Sequence, residues 1–209
     1  MYDLSQSYWE LLATPLALRV IDRLREVSPT PRTNLDDLAS PTRIGQVLQR
    51  LRDLHLIDTI RSHRPIALRY PETFENINRR LAVLPARRDT LQSLRAPLCR
   101  QLIDLLLPGP QRRRALSWYQ HPARVSDTLK LMRHHQLIDE HGVFVQLRHA
   151  AVLGHLLQDV DDTVVDITYH AFTAIEQTSS SRHYRNQPLL ASERAVLIAA
   201  APPSRLPPR

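Results

Sequence analysis

The chain has 209 residues, of which 43% are hydrophobic and 23% are charged, so it can bury a core and lacks the composition of a disordered protein. Its single cysteine, Cys99, excludes an internal disulfide framework or a zinc ribbon, and its four glycines form no phosphate-binding loop. No apolar run approaches the roughly 20 residues that span a bilayer, and residues 1–7 lack the features of a secretory signal, so we expect a cytoplasmic protein without a membrane partner.

The charge balance of the chain is basic. Lys and Arg number 28 against 21 Asp and Glu, which gives a net charge of +7, and Lys130 is the one lysine. A guanidinium group binds phosphate through two parallel hydrogen bonds, so this composition favours an anionic partner such as DNA. A solvated basic surface is the alternative explanation.

An internal repeat organises the sequence. Residues 41–58 align with residues 122–139 at an offset of 81, with seven identical positions, and residues 15–22 align with residues 97–104 at an offset of 82. Two blocks in the same order predict a duplicated module. The predicted divisions are a first module (1–85), a second module with a joining helix (86–177), and a C-terminal short helix with a Pro-rich basic tail (178–209).

The helices predicted in the two modules follow one order. A first helix begins at Pro15 and again at Pro97, because proline is favoured in the first turn. A short second helix comes next, and then a third helix with apolar residues at i, i+3, i+4 and i+7, which predicts one buried face. The predicted helices are 15–25, 35–39 and 41–54 in the first module, and 97–107, 112–118 and 122–135 in the second.

After each third helix the hydrophobic period changes to two, which predicts a β-hairpin. The first hairpin pairs residues 56–60 with 66–70, and the second pairs 137–140 with 143–147, where Gly142 can adopt the positive φ of a tight turn. We expect a further helix after each hairpin, at 73–83 and from 149 to about 177. One more short helix is predicted at 189–201, before a tail whose Pro-rich composition predicts disorder.

Three helices followed by a hairpin are typical of a winged helix-turn-helix, whose third helix enters the major groove. The segment from Leu35 to Ile57 resembles the ArsR-like winged-helix transcriptional regulators, with Ser40-Pro41 opening the third helix and Leu51-Arg52 leading to the wing. His55 stands where that family usually has glycine, and the second helix is shorter than usual. The resemblance implies a mainly α fold with small β-hairpin wings, and two tandem modules would form a pseudo-dimer.

The candidate DNA-binding residues lie on the two third helices and on the first wing. Arg can pair with guanine and Gln with adenine, so the side chains near the N-terminal end of each helix are expected to read bases. Those further along the helix, and those of the wing, are expected to contact phosphates, although a solvated helix face would explain Arg50 equally well. The candidates are Thr42, Arg43, Gln46, Gln49, Arg50, Arg61 and Arg64 in the first module, and Arg124, Ser126 and Lys130 in the second.

The second module carries acidic residues where the first does not. Asp127 replaces Gln46, and the second wing begins with Asp139 and Glu140, so we expect the first module to dominate the affinity for DNA. The basic run 112–114 could still give the second module phosphate contacts.

The sequence gives little indication of a metal site, a reactive cysteine or a catalytic site. Asp162, Asp166 and His170 could share one helix face as three ligands, but the spacing used by metal sensors of the family is absent, which favours a solvated role. Cys99 aligns with Ala17 and is expected to be a buried core group. No Ser/His/Asp constellation has a recognisable spacing, so we expect no enzyme activity and no cofactor.

The leading hypothesis is a transcriptional regulator that binds double-stranded DNA. The alternative is a non-enzymatic winged-helix interaction protein of the chromosome-partition or plasmid-replication type. Pairing of the two modules within one chain favours a monomer, although apolar residues of the last helix could instead pair two chains. Those residues are Val164, Ile167, Ala171 and Ile175.

Overall fold

The computed structural model of the protein describes residues 3–58, 65–118 and 120–182. These residues form a mainly α-helical fold, as the sequence predicts, with one small three-stranded antiparallel sheet.

Four α-helices and one short 3-10 helix form the described part of the first repeat. Three of these helices have proline in their first turn. An amide hydrogen there would have no acceptor within the helix, so the helix loses no hydrogen bond because proline lacks one. The elements are α1 (Leu4–Leu12), α2 (Pro15–Glu26), the 3-10 helix (Arg32–Leu35), α3 (Pro41–Asp53) and α4 (Pro71–Val83).

The second repeat, over residues 86–118 and 120–182, contains five α-helices and the three strands of the sheet. Strand β3 lies in the middle, and β1 and β2 pair with it in antiparallel fashion. The elements are α5 (Arg87–Leu94), α6 (Pro97–Leu106), β1 (Gln111–Arg112), α7 (Arg113–Leu116), α8 (Pro122–His134), β2 (Ile138–His141), β3 (Phe144–Leu147) and α9 (Ala150–Arg182).

Helix α1 was not predicted, although its sequence carries a start signal. The Asp3 side chain accepts a hydrogen bond from the Gln6 amide, at 2.9 Å, which caps the first turn. Tyr8 and Trp9 lie in the second turn of the helix, and both are buried. An acidic N-cap followed by a run of large apolar residues could therefore have located the helix.

The short second helices differ from the prediction. In the first repeat a 3-10 helix at Arg32–Leu35 replaces the predicted helix 35–39, since Pro31 fixes its start and the fully buried Leu35 ends it. In the second repeat α7 spans Arg113–Leu116 only, because the preceding residue still pairs in strand β1.

The first hairpin is reduced to single pairings among the described residues. Ile57 pairs with Leu68, and Thr30 pairs with Ile66, but neither pairing extends into a strand. The predicted turn, residues 61–64, lies outside the described residues. The second hairpin forms where it was predicted, but its strands are 138–141 and 144–147 instead of 137–140 and 143–147, with Gly142 at φ 61° in its turn.

Aligned residues of the two repeats make the same local contacts. Both third helices end at a non-glycine residue with positive φ, His55 at 53° and Gln136 at 58°. The hairpin pairings also correspond, because Gln111–Val145 and Ile138–Leu147 repeat the two pairings of the first repeat. An ion pair closes each hairpin base, Asp58 with Arg69 at 3.0 Å and Asp139 with Arg148 at 2.8 Å.

The two repeats share one apolar core. Helix α4 packs along α9, and α1 contacts both α5 and α9, so the first and last helices of the repeats meet. Arg80 of α4 forms an ion pair with Asp159 of α9, and Tyr8 stacks on Phe74 with ring centroids 6.2 Å apart.

Helix α9 continues five residues beyond the predicted end at about 177. Within the described chain, no helix combines the length and the apolar character needed to cross a bilayer. The predicted helix 189–201 and the Pro-rich tail lie outside the described residues.

Candidate nucleic-acid interface

Helix α3 presents a polar face to solvent because its apolar residues all turn inward. Ile44, Val47, Leu48 and Leu51 are buried, at the spacing of one helical face. The five residues predicted to contact DNA are exposed on the other side: Thr42, Arg43, Gln46, Gln49 and Arg50.

These five residues line one surface groove of about 1030 Å³ between α3 and the start of α2. Pro15 and Leu16 form the opposite wall, and Arg19 adds a third arginine to the groove. Arg19 was missed by the sequence analysis because it lies on another helix. Its place on the polar face of α2, four residues after Pro15, is the signal that could have suggested it.

The charges in this groove are unevenly neutralised. Within the described residues, no carboxylate lies within ion-pair distance of Arg19 or Arg43, whereas Arg50 Nη2 lies 3.9 Å from Oε2 of Glu10. Gln49 Nε2 donates to Oδ1 of Asp53, at 2.6 Å. The N-terminal part of the α3 surface is therefore the more available for an anionic ligand.

Arg32 is a second basic residue that the sequence analysis missed. Its Nη2 donates to the carbonyl oxygen of Pro41, at 3.4 Å, and lies above Gly45 near the start of α3. In the second repeat Arg113, which aligns with Arg32, donates from its Nη2 to Oγ of Ser126, at 3.1 Å. The repeat alignment could have suggested that both arginines cover the start of a third helix.

The predicted wing contacts Arg61 and Arg64 lie outside the described residues. Their role in phosphate binding remains a prediction from the sequence.

The exposed surface of α8 is more fully neutralised. Arg124 is exposed, and among the described residues it has no carboxylate within ion-pair distance. Lys130 Nζ lies 3.0 Å from Oδ1 of Asp127, and both side chains are exposed. Ser126 is half-buried and accepts the hydrogen bond from Arg113. Of the three candidates here, Arg124 is thus the one best placed to contact DNA.

The acidic residues of the predicted second wing lie within a strand and not in the turn of the hairpin. Asp139 and Glu140 belong to β2, where Asp139 pairs with Arg148 and Glu140 contacts two other arginines. The turn itself contains Gly142 and the exposed Val143. Both carboxylates belong to the predicted second hairpin, but their arginine partners could not be predicted from the sequence.

The structure gives the surroundings of the cysteine and of the three possible metal ligands on α9. Cys99 is buried, and this burial raises the pKa of its thiol to about 12, which keeps the reactive thiolate form scarce. Asp162, Asp166 and His170 are all exposed on α9. Among the described residues, no three His, Cys, Asp or Glu side chains are grouped so that they could hold a metal ion.

One serine–histidine pair was not foreseen. Ser93 Oγ lies 2.6 Å from Nδ1 of His135, and this contact joins α5 to the end of α8. Ser93 is fully buried, so a substrate could not reach its hydroxyl group in this conformation. The pair therefore acts as a packing contact.

Comparison with known proteins produced no match, whether with protein-family models, with curated protein sequences or with solved structures.

Proposed function

We propose that this protein is a DNA-binding transcriptional regulator with two winged helix-turn-helix modules in one chain. The observation that carries the proposal is the polar face of α3. It combines arginine and amide side chains in one groove, and Arg43 lies there without a carboxylate partner among the described residues.

The repeated contacts support a pseudo-dimer. Equivalent helix ends, hairpin pairings and ion pairs occur in both repeats, and the first and last helices of the repeats pack together. A regulator built from two separate chains would bury the same kind of interface between subunits. Here the chain supplies both partners, which favours a monomer in solution.

The proposed mechanism divides the groove residues by what they contact. Arg43 and Gln46, near the start of α3, would pair with guanine and adenine edges in the major groove. Arg19 and Arg32, which flank α3, would bind phosphates and so fix the position of the helix on the duplex. Base preference and general affinity would then depend on different side chains.

Salt dependence tests the electrostatic part of this mechanism. The logarithm of the association constant for duplex DNA should fall with the logarithm of salt concentration by about 0.9 per neutralised phosphate. Arg19→Ala should weaken binding to all sequences and reduce the slope by about 1. Titration of a labelled duplex at several salt concentrations, followed by fluorescence anisotropy, measures both quantities.

Arg79→Ala is the matched control, because Arg79 is also an exposed arginine but lies on α4 and pairs with Glu75. It should leave the slope nearly unchanged. Absence of any salt-dependent binding to genomic DNA fragments at low ionic strength would contradict the proposed function.

The alternative function, a non-enzymatic interaction protein of the chromosome-partition or plasmid-replication type, is favoured by one observation. The second repeat exposes several large apolar side chains, and Trp118, Val143 and Phe144 are among them. Apolar side chains of this size are common in protein interfaces. Failure to bind DNA, with retention of a folded chain, would favour this alternative.

A further inference from the structure

Glu140 lies on strand β2 between two arginines from other elements of the second repeat. Its Oε1 accepts a hydrogen bond from Nη1 of Arg113, at 3.4 Å, and its Oε2 accepts one from Nη1 of Arg133, at 3.2 Å. The Glu140 side chain is 20% exposed, whereas those of Arg113 and Arg133 are 44% and 69% exposed. A single carboxylate thus holds two guanidinium groups beside α8.

The three residues border a surface cavity of about 540 Å³, which Lys130 and His134 complete. Lys130 also has a carboxylate partner, Asp127. The side chains of Arg113, Arg133 and Lys130 therefore bring several hydrogen-bond donors to one cavity, as a site for an anion requires. Glu140 already accepts one hydrogen bond from each of its two arginines.

The first repeat has the same two arginines without the carboxylate. At the offset of 81, Arg113 aligns with Arg32 and Arg133 aligns with Arg52, but Glu140 aligns with Thr59. Thr59 lies outside the described residues, but threonine carries no charge. The carboxylate is therefore specific to the second repeat.

We infer that Arg113 and Arg133 form a binding site for a DNA backbone phosphate, and that Glu140 closes this site in the free protein. The inference rests on the proposed DNA-binding function. Carboxylate and phosphate oxygens are both charged acceptors for a guanidinium group, so DNA competes with Glu140 for these arginines. Glu140 thereby sets how strongly the second repeat holds the backbone.

The test replaces Glu140 by its uncharged isostere in the full chain. Glu140→Gln should raise the affinity for a duplex of random sequence and steepen the salt slope by about 0.9 for each phosphate newly bound. The control is Glu75→Gln, which removes the same charge from a glutamate that also lies between two arginines, Arg25 and Arg79, but on α4. Equal slopes for the two variants would overturn the inference.

A second substitution separates the site from a general charge effect. Arg133→Ala should have little effect on the wild-type slope, because the charge of Glu140 already offsets that of Arg133. In the Glu140→Gln background the same substitution should remove most of the gained slope. Additive effects of the two substitutions would contradict a shared site. Circular dichroism checks that each of these variants is folded.

Sulfate distinguishes failure of this inference from failure of the proposed function. Millimolar sulfate, compared with chloride at equal ionic strength, should raise the melting temperature of Glu140→Gln but not that of wild-type protein or Glu75→Gln. A sulfate effect without any DNA binding would support the anion site and refute the regulator. Salt-dependent DNA binding by the wild-type protein, with no sulfate or slope effect in Glu140→Gln, would refute the site and leave the regulator standing.

Discussion

At the scale of single residues, the backbone adopts an unfavourable conformation just after each third helix. His55 and Gln136 both have positive φ, a region that side chains other than glycine, asparagine and aspartate rarely occupy. Burial lowers the pKa of His55, and the nearby positive charge of Arg69 lowers it further. This histidine therefore combines backbone strain with a disfavoured protonated form.

His55→Gly should stabilise the protein at neutral pH. Relief of the strain of the left-handed backbone should stabilise the folded state by about 1–2 kcal/mol. Glycine loses more conformational entropy on folding, which offsets about 0.5–1 kcal/mol of this gain. Because the folded-state pKa lies below the ordinary value of 6.5, the wild-type chain loses stability as the pH falls from 6.5 through the folded-state pKa. The advantage of the variant should therefore widen between pH 7 and pH 5, as urea denaturation at each pH would measure.

Gln136→Gly is the control for this effect. It removes the same backbone strain at the equivalent position but no titratable group, so its gain in stability should not change over that pH range. A pH-independent advantage of His55→Gly would contradict the role assigned to the imidazole.

At the scale of elements, helix α3 and the wing should contribute differently to recognition. Arg43→Ala or Gln46→Ala should cost about 1–3 kcal/mol on the preferred site and relax the base preference there. Arg61→Ala or Arg64→Ala should weaken binding to all sequences alike. Selection of bound duplexes from a randomised pool would measure both properties, and altered base preference in the wing variants alone would reverse the assignment.

Sequence patterns located the elements well where a local signal exists. Pro41 and Pro122 mark the starts of α3 and α8, and Gly142 marks the second turn, because each residue type constrains its own backbone. The repeat alignment also predicted that the two hairpins correspond. By contrast, the 3-10 helix was placed too late, since the burial of Leu35 depends on packing against other elements.

The candidate site was predictable only on α3 itself. Helical periodicity identified its exposed face, but the opposite wall of the groove belongs to α2, and Arg19 enters through tertiary packing. The contacts of Glu140 with Arg113 and Arg133 likewise join elements that are separate in the sequence. A sequence pattern records which side chains share a helix face, but not which helices meet.

At the scale of the whole molecule, the packing of α4 on α9 ties the repeats together. The ion pair between Arg80 and Asp159 lies in this contact, with both side chains mostly buried. Closure within one chain is favoured by an effective concentration in the millimolar range for short connections. Half-sites about 34 Å apart would follow if both third helices entered successive major grooves.

We therefore expect a monomer that binds one DNA site per chain. Sedimentation velocity at micromolar concentration should give a mass for one chain, and stoichiometric titration should give one chain per duplex. Val165 and Tyr169, each 65% exposed, place apolar side chains on the surface of α9 where two chains could pair. A stable dimer would contradict the monomer, and loss of that dimer in Tyr169→Ser would identify this surface as the cause.

Joining both repeats in one chain removes a restriction that symmetry places on ordinary dimers. In a homodimer every substitution occurs twice, so a carboxylate that closes one phosphate site closes the other as well. Here position 140 carries glutamate while its counterpart, position 59, carries threonine. Each copy can thus accumulate its own substitutions, and the chain can evolve towards unequal half-sites without a partner gene.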